Sequence, residues 1–226
     1  MQTDRFRRPT DPALAIFIMR TEDGTHTGIL FRMNGVLLIQ DVMWHEMFRS
    51  AQCPAKVPHF VMLALEPEQE HRVRMMCQLI HYRQNSRDSS SEYKIPFAFR
   101  LGNDRINAKT AEFKLEDGLG LSCSTFVLTV FDSVYVPLVN FEGWPKRDDD
   151  KKRHKKLLDK MRNGIPKYNF PPAKPEHVER VAAEVDCIRV RPEEMAATGL
   201  YNDLPARFAQ LEPGGTWILS QIPPAA

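Results

Sequence analysis

A chain of 226 residues, 42% of them hydrophobic, carries enough apolar side chain to build the core of one large domain. Thirty-one basic and 29 acidic residues leave a formal net charge of +2, too balanced a field to draw the protein to nucleic acid, so no nucleic-acid partner is expected. No stretch reaches the roughly 18 to 20 apolar residues that span a bilayer, and the run from Ala13 to Met19 is broken by Arg20 with no small-residue cleavage site, which argues against a secretory signal. Cys53, Cys77, Cys123 and Cys187 are scattered without C-x-x-C spacing, the usage of a reducing compartment, and a cytoplasmic location is expected.

In chain order, residues 14–21 and 26–33 are rich in branched and aromatic residues and read as strands. Asn34-Gly35 followed by Val36-Leu37-Leu38-Ile39 is a hairpin signal, because a type I′ turn needs positive φ at both central residues. Phe60 to Leu65 is a further strand candidate. Glu66-Pro67-Glu68-Gln69-Glu70 then opens a helix with Val73, Met76, Leu79 and Ile80 at helical spacing, running to about Tyr82. Residues 84–96 form a serine-rich loop, and Phe97 to Leu115 shows no periodicity from which strands can be placed. Gly118-Leu119-Gly120-Leu121-Ser122-Cys123 leads into a helix with Phe126, Val127, Val130 and Phe131, ending near Val134.

Beyond Trp144 the composition changes. Lys146 to Lys160 holds eight basic and four acidic residues; it reads as a solvated helix with Asp148, Asp149 and Asp150 at its N-terminus, and as a possible surface for a protein partner. Prolines then punctuate a linker, Glu176 to Val190 reads as an amphipathic helix, a short helix starts at Pro192, and Leu211 to Ala226 reads as a tail ending in coil. The expected organisation is a domain over 1–143 and a charged, helical C-terminal extension over 144–226.

Chemistry concentrates on Cys123 and His26. A cysteine in the first turn of a helix meets unpaired backbone N–H groups and the positive end of the helix dipole, which favour the thiolate, the nucleophilic form. His26 begins the second strand. With Asn34 and Gly35 as the two turn residues, opposed positions sum to 69, so His26 faces position 43 and shares a sheet face with 41, 43 and 45. Asp41 and His45 satisfy that parity and Gln40 does not. Either would serve as the third group that fixes the orientation of a catalytic histidine. If the chain turns helical after Asp41 the parity fails and Asp41 is the better candidate. The residues alone also admit Cys123 as a small buried residue and His26 as an ordinary strand residue.

Other candidates have simpler readings. Ser122 and Ser124 fit helix capping. His71, Cys77 and His81 lie on one helix, where Cys77 and His81 at i, i+4 supply too few ligands for a metal site, so no metal and no cofactor are expected. Trp44, with Met43, Met47 and Phe48, lines either the core or a groove beside His45.

The order of a strand histidine followed by glycine (His26-Thr27-Gly28), a second polar residue on the neighbouring strand and a cysteine opening an apolar helix resembles the circularly permuted papain-like fold. That group includes permuted NlpC-type amidases and peptidases and the lecithin:retinol acyltransferase-like enzymes. The resemblance covers residues 14–135. It implies an α+β fold in which an antiparallel sheet packs on the cysteine-bearing helix, with Cys123 as nucleophile, His26 as base, and Asp41 or His45 as the orienting member. The acyltransferase-like enzymes place a histidine soon after the first one, whereas this chain offers Asp41 and then His45. The activity it implies is thiol-dependent hydrolysis of a peptide or other amide. Acyl transfer by the same Cys-His pair, or a non-catalytic binding module of the same fold, are the alternatives.

Overall fold

The Asn34-Gly35 turn organises the first half of the molecule. In the computed structural model, which describes residues 1–7, 12–22, 24–54, 58–85, 94–102, 105–115 and 119–224, both turn residues have positive φ, 50° at Asn34 and 82° at Gly35. They join β3 (Gly24–Met33) to β4 (Val36–Trp44), preceded by β1 (Phe6–Arg7) and β2 (Leu14–Thr21) and followed by β5 (Met47–Gln52) and β6 (His59–Met62). These strands form one antiparallel sheet in the order β1-β6-β2-β3-β4-β5. The β3–β4 ladder contains Ile29↔Gln40 and Leu30↔Ile39, the register computed from the turn. β4 continues as a strand through Trp44 rather than turning helical, but its pairing with β3 ends at Gln40, its register against β5 shifts between Val42 and Trp44, and His45 lies in the turn beyond it, so the parity counted from the hairpin does not carry to His45.

Alternation along the strands gives the sheet two apolar faces. One carries Ile16, Ile18, Ile29, Phe31 and Val42 and packs against the helices. The other carries Ala15, Phe17, Leu30, Ile39 and Phe60 in a smaller cluster. α1 (Pro67–Asn85) and α2 (Cys123–Asp132) lie over the first face, α2 with eight of its ten residues buried. Such a helix is held by burial, at about 25 cal/mol per Å² of apolar surface removed from water, more than by helix propensity.

After a two-residue strand β7 (Val139–Asn140) come α3 (Asp148–Asn163), α4 (Pro175–Ala182), α5 (Pro192–Ala197), β8 (Ala206–Arg207), which pairs with β7 in parallel, and α6 (Phe208–Gln221). Met195, Leu200, Leu211 and Ile218 from this part belong to the same apolar cluster as Ile16, Phe31 and Phe126. Two expectations are corrected. The amphipathic stretch forms a helix only to Ala182, with turns after it. The tail, for which no helix is expected, is helical from Leu211 to Gln221 despite Pro213-Gly214-Gly215, and ends in coil only beyond that. The two glycines bring α6 against α5: a Cβ at Gly214 would lie 3.0 Å from Ala197 Cβ and one at Gly215 3.2 Å from Glu193. Tertiary packing here overrides the poor propensity of the sequence.

Trp44 proves to be core, its ring tilted against that of Phe97 with Leu158 and Met161 in the same cluster. Residues 86–93 of the serine-rich segment and Gly118 of the glycine approach lie outside the described residues. Among the described residues no helix is long and apolar enough to cross a membrane.

Candidate active site at the start of α2

His26 and Asp41 sit on adjacent strands, and their side chains meet because the register places them diagonally on one face. His26 Nε2 lies 2.6 Å from Asp41 Oδ2. Asp41 is fully buried and stands directly opposite Arg49 of β5, whose Nε donates to Oδ1 at 2.8 Å and Nη2 to Oδ2 at 2.6 Å. Between the two partners lies Gly28, where no side chain fits: a Cβ would come 2.7 Å from Asp41 Cβ and collide with the Gln40 carbonyl and the Phe17 ring. Phe17 instead fills this space, its ring centroid 5.9 Å from that of His26.

The β3–β4 ladder has its last pair at Ile29↔Gln40. Beyond that pair, among the described residues, β3 continues paired with β2 and β4 with β5. Where the ladder stops, the start of α2 brings in Cys123, close enough to the His26 ring and to the Thr27 and Ser124 backbone for each to favour the charged thiol. Asp41 engages Nε2, so Nδ1 is the nitrogen left for the thiol.

The helix start is fixed by several bonds. Ser122 is the N-cap: its Oγ accepts from the Thr125 N–H at 3.2 Å while its own N–H donates to Thr125 Oγ1 at 2.6 Å, a capping box with threonine in the third position. Ahead of it, Leu121 N–H donates to the Pro96 carbonyl at 2.8 Å, and the buried Arg105 guanidinium holds the Gly120 carbonyl. Cys123 therefore occupies the first helical position, whose N–H has no acceptor within the helix.

Electrostatics follow from these contacts. Burial alone works against an imidazolium at His26, but the bonds to Asp41 and Cys123 outweigh it and push the pKa up to about 10 from 6.5. Burial likewise opposes a thiolate at Cys123, and the bond and charge of His26, helped by the Thr27 and Ser124 amides, more than compensate and lower its pKa. Asp41, buried yet bonded to His26 and Arg49, is held below the ordinary carboxylate value. An ionised Asp41 only accepts hydrogen bonds, so Nε2 carries the proton that points at it. The other cysteines move the opposite way: burial raises Cys53, Cys77 and Cys187.

Of the residues singled out from sequence, Cys123, His26 and Asp41 come together. His45 is engaged elsewhere, in the β4–β5 turn: its Nδ1 accepts from the Phe97 N–H at 3.3 Å, and its ring lies 4.6 Å from that of His177, which donates through Nε2 to the Phe97 carbonyl at 2.8 Å. Cys77 is buried within α1, and His81 Nδ1 pairs with Ser50 Oγ at 3.0 Å. In α3 the aspartates at the N-terminus do more than cap: Asp149 and Asp150 bind Arg191, and Asp150 binds Arg147. Arg49 and Arg105 were missed. Arg49 lies on a strand that the apolar pattern did not mark, and Arg105 stands in the stretch without periodicity. In comparison with known proteins, the chain matches no family model, no curated protein and no solved structure.

Proposed function

We propose that this protein is a cysteine-dependent hydrolase of the peptidase or amidase type, acting through an acyl-enzyme on a papain-like fold in circularly permuted order. The observation that supports this reading most is the row Asp41–His26–Cys123 closing at the first turn of α2, with a lowered thiol pKa and a raised imidazole pKa. In this reading the Cys123 thiolate attacks the carbonyl carbon of an amide, and the oxyanion is met by the Cys123 N–H. The His26 imidazolium gives its proton to the departing amine as the C–N bond breaks, leaving a thioester on Cys123. His26, now neutral, takes a proton from water as that water attacks the thioester, and the carboxylic acid leaves with the thiolate restored. Asp41 keeps the ring in the tautomer and orientation that both steps require.

The test is the rate of iodoacetamide labelling at each cysteine, resolved by peptide mass spectrometry across pH, together with acyl release from a panel of peptide amides. Cys123 is expected to react far faster than Cys53, Cys77 and Cys187 with an apparent pKa well below the ~8.5 of a free thiol, and to accumulate a thioester with a turned-over amide. A Cys123 that stays inert until the protein is unfolded overturns the proposal. Product that appears only with an added amine or alcohol acceptor would reassign the second half-reaction to acyl transfer.

A further inference from the structure

Arg49 shares its target with the histidine. Asp41 Oδ2 lies 2.6 Å from both His26 Nε2 and Arg49 Nη2, and Arg49 Nε takes the second oxygen at 2.8 Å. One carboxylate oxygen is thus pinched between an imidazole and a guanidinium. Asp41 and Arg49 are also directly opposed in the β4–β5 ladder, so the fork is set by backbone register as well as by side-chain conformation. From this geometry we infer that Arg49 is a positioning residue of the thiol site: it fixes the Asp41 carboxylate against His26 and supplies the positive charge that lets the buried row hold a thiolate. The inference rests on the hydrolase reading above.

The charge balance shows why the fourth member matters. With the thiolate formed, the row reads Cys123 negative, His26 positive, Asp41 negative and Arg49 positive, summing to zero. Without Arg49 the same resting state leaves one uncompensated negative charge among buried groups, which is costly. Removing a fixed positive charge makes the potential more negative at every titrating atom, so each pKa in the row moves up, Asp41 most because it is in contact. The titrating groups facing Asp41 are His26 from β3, Arg49 from β5 and, through His26, Cys123 from α2. Arg49 also faces Cys53, just beyond the end of β5, and its charge partly offsets the burial that raises that thiol. Arg49 is about a third exposed, 31%, so water screens part of its field and a shift of about one pH unit is expected.

The experiment compares wild type, Arg49→Gln and Arg49→Lys by two readouts. One is the pH profile of Cys123 alkylation. The other is the NMR titration of the His26 ring in a Cys123→Ser background. Arg49→Gln is expected to move the acid limb of alkylation and the His26 midpoint upward by about one unit each, with Arg49→Lys recovering most of both because it keeps the charge. Limbs and midpoint that stay within about 0.2 units in Arg49→Gln overturn the inference, since a purely structural contact would change stability and not the titrations. If Cys123 proves unreactive in the wild type, the hydrolase reading falls, and the His26 titration still decides the role of Arg49. If Arg49→Gln does not fold, the Arg49 Nε–H resonance in the Cys123→Ser protein serves instead. It is expected to titrate with the His26 midpoint, and a flat response overturns the inference.

Discussion

His26 lies on β3 and His45 in the turn that follows the next strand of the same meander; both are largely withdrawn from solvent, with 14% and 11% of their side chains exposed, yet they take opposite charge states. Burial penalises the imidazolium at both. At His26 a carboxylate and a thiol reverse the penalty and the ring is held protonated. At His45 a neighbouring histidine and Lys174 add to the penalty, Glu46 only partly counters it, and the pKa falls to about 4. Burial therefore does not decide what a histidine can do; the charge of its partner does. The first histidine is held charged between a carboxylate and a thiol, as the proposed proton transfer needs. The second is arranged to stay neutral and grip a peptide, accepting from the Phe97 N–H beside the Pro96 carbonyl that anchors the approach to Cys123.

The largest expected effect breaks this contrast at its functional end. His26→Ala removes both the proposed base and the imidazolium that favours the thiolate, and Cys123 alkylation at neutral pH should fall by about 10²- to 10³-fold. His45→Ala, measured in the same assay, should change the rate by no more than about threefold, because His45 meets the backbone and His177 rather than the thiol. Equal losses in the two variants would mean that the two histidines act as one unit.

The contrast is sharpened by pH. The folded-state pKa of His45, about 4, lies below its unfolded value of 6.5, so the unfolded chain binds a proton that the folded chain does not between those values. Its stabilisation is therefore complete above pH 6.5 and lost as pH falls towards 4. His154, buried with the Arg189 guanidinium at its Nδ1, is lowered to about 4 by burial and by that charge, and acts in the same direction. Urea unfolding of the wild type between pH 4.5 and 6.5 should show stability rising with pH, on the order of 2–3 kcal/mol from each histidine. His45→Asn should flatten its share of the slope. A slope unchanged in that variant would place the titration elsewhere.

Why so much of this arrangement was legible, and where legibility stopped, is visible in the hairpins. Asn34-Gly35 is a turn whose geometry is written in its residues, and it fixes a period-2 register from which the shared face of His26 and Asp41 follows by counting. The β4–β5 hairpin is different. It turns at His45-Glu46, with Glu46 at φ 58°, a position where glycine or asparagine would have been the signal. Its register then shifts at Met43: Trp44 pairs with Met47, but Val42 pairs with Phe48 and Asp41 with Arg49. Counting from the turn would have set Asp41 opposite Ser50. The bulge re-aims Arg49 onto the carboxylate, and no local residue pattern announces it. Likewise the meeting of Cys123 with His26 depends on where the β3–β4 ladder ends, a consequence of helix packing rather than of either strand's sequence. The helical tail went unread because Pro213-Gly214-Gly215 signals a break, while contact with α5 holds it as helix.

A smaller effect is expected at the hinge of the His26–Asp41 contact. Gly28→Ala places a methyl group 2.7 Å from Asp41 Cβ and against the Gln40 carbonyl, which belongs to backbone and cannot rotate away. Overpacking of this kind costs about 1–3 kcal/mol, and separating β3 from β4 here should lengthen the 2.6 Å contact to Asp41. Denaturant unfolding should report the loss of stability, and alkylation should show a higher apparent pKa at Cys123. A variant as stable as wild type with an unchanged alkylation profile would mean that the strands are free to part.

The smallest effect concerns the cap of the helix that carries the thiol. Ser122→Ala deletes the acceptor for the Thr125 N–H and should lower stability by about 1 kcal/mol, the usual worth of a serine N-cap. The side chain of Thr125 still accepts from the backbone N–H of residue 122, since that half of the box does not involve the serine hydroxyl. The first turn should therefore fray without unwinding, and Cys123 should keep its labelling preference over Cys53, Cys77 and Cys187 while its apparent pKa rises slightly as its amide environment loosens. The comparison with His26→Ala is what makes this informative. If loss of the cap raises the thiolate pKa as much as loss of the histidine does, the helix start is the main stabiliser of the charge. If the rise is a small fraction of it, the imidazolium is, and the helix serves chiefly to deliver the sulfur to the point where β3 and β4 cease to pair.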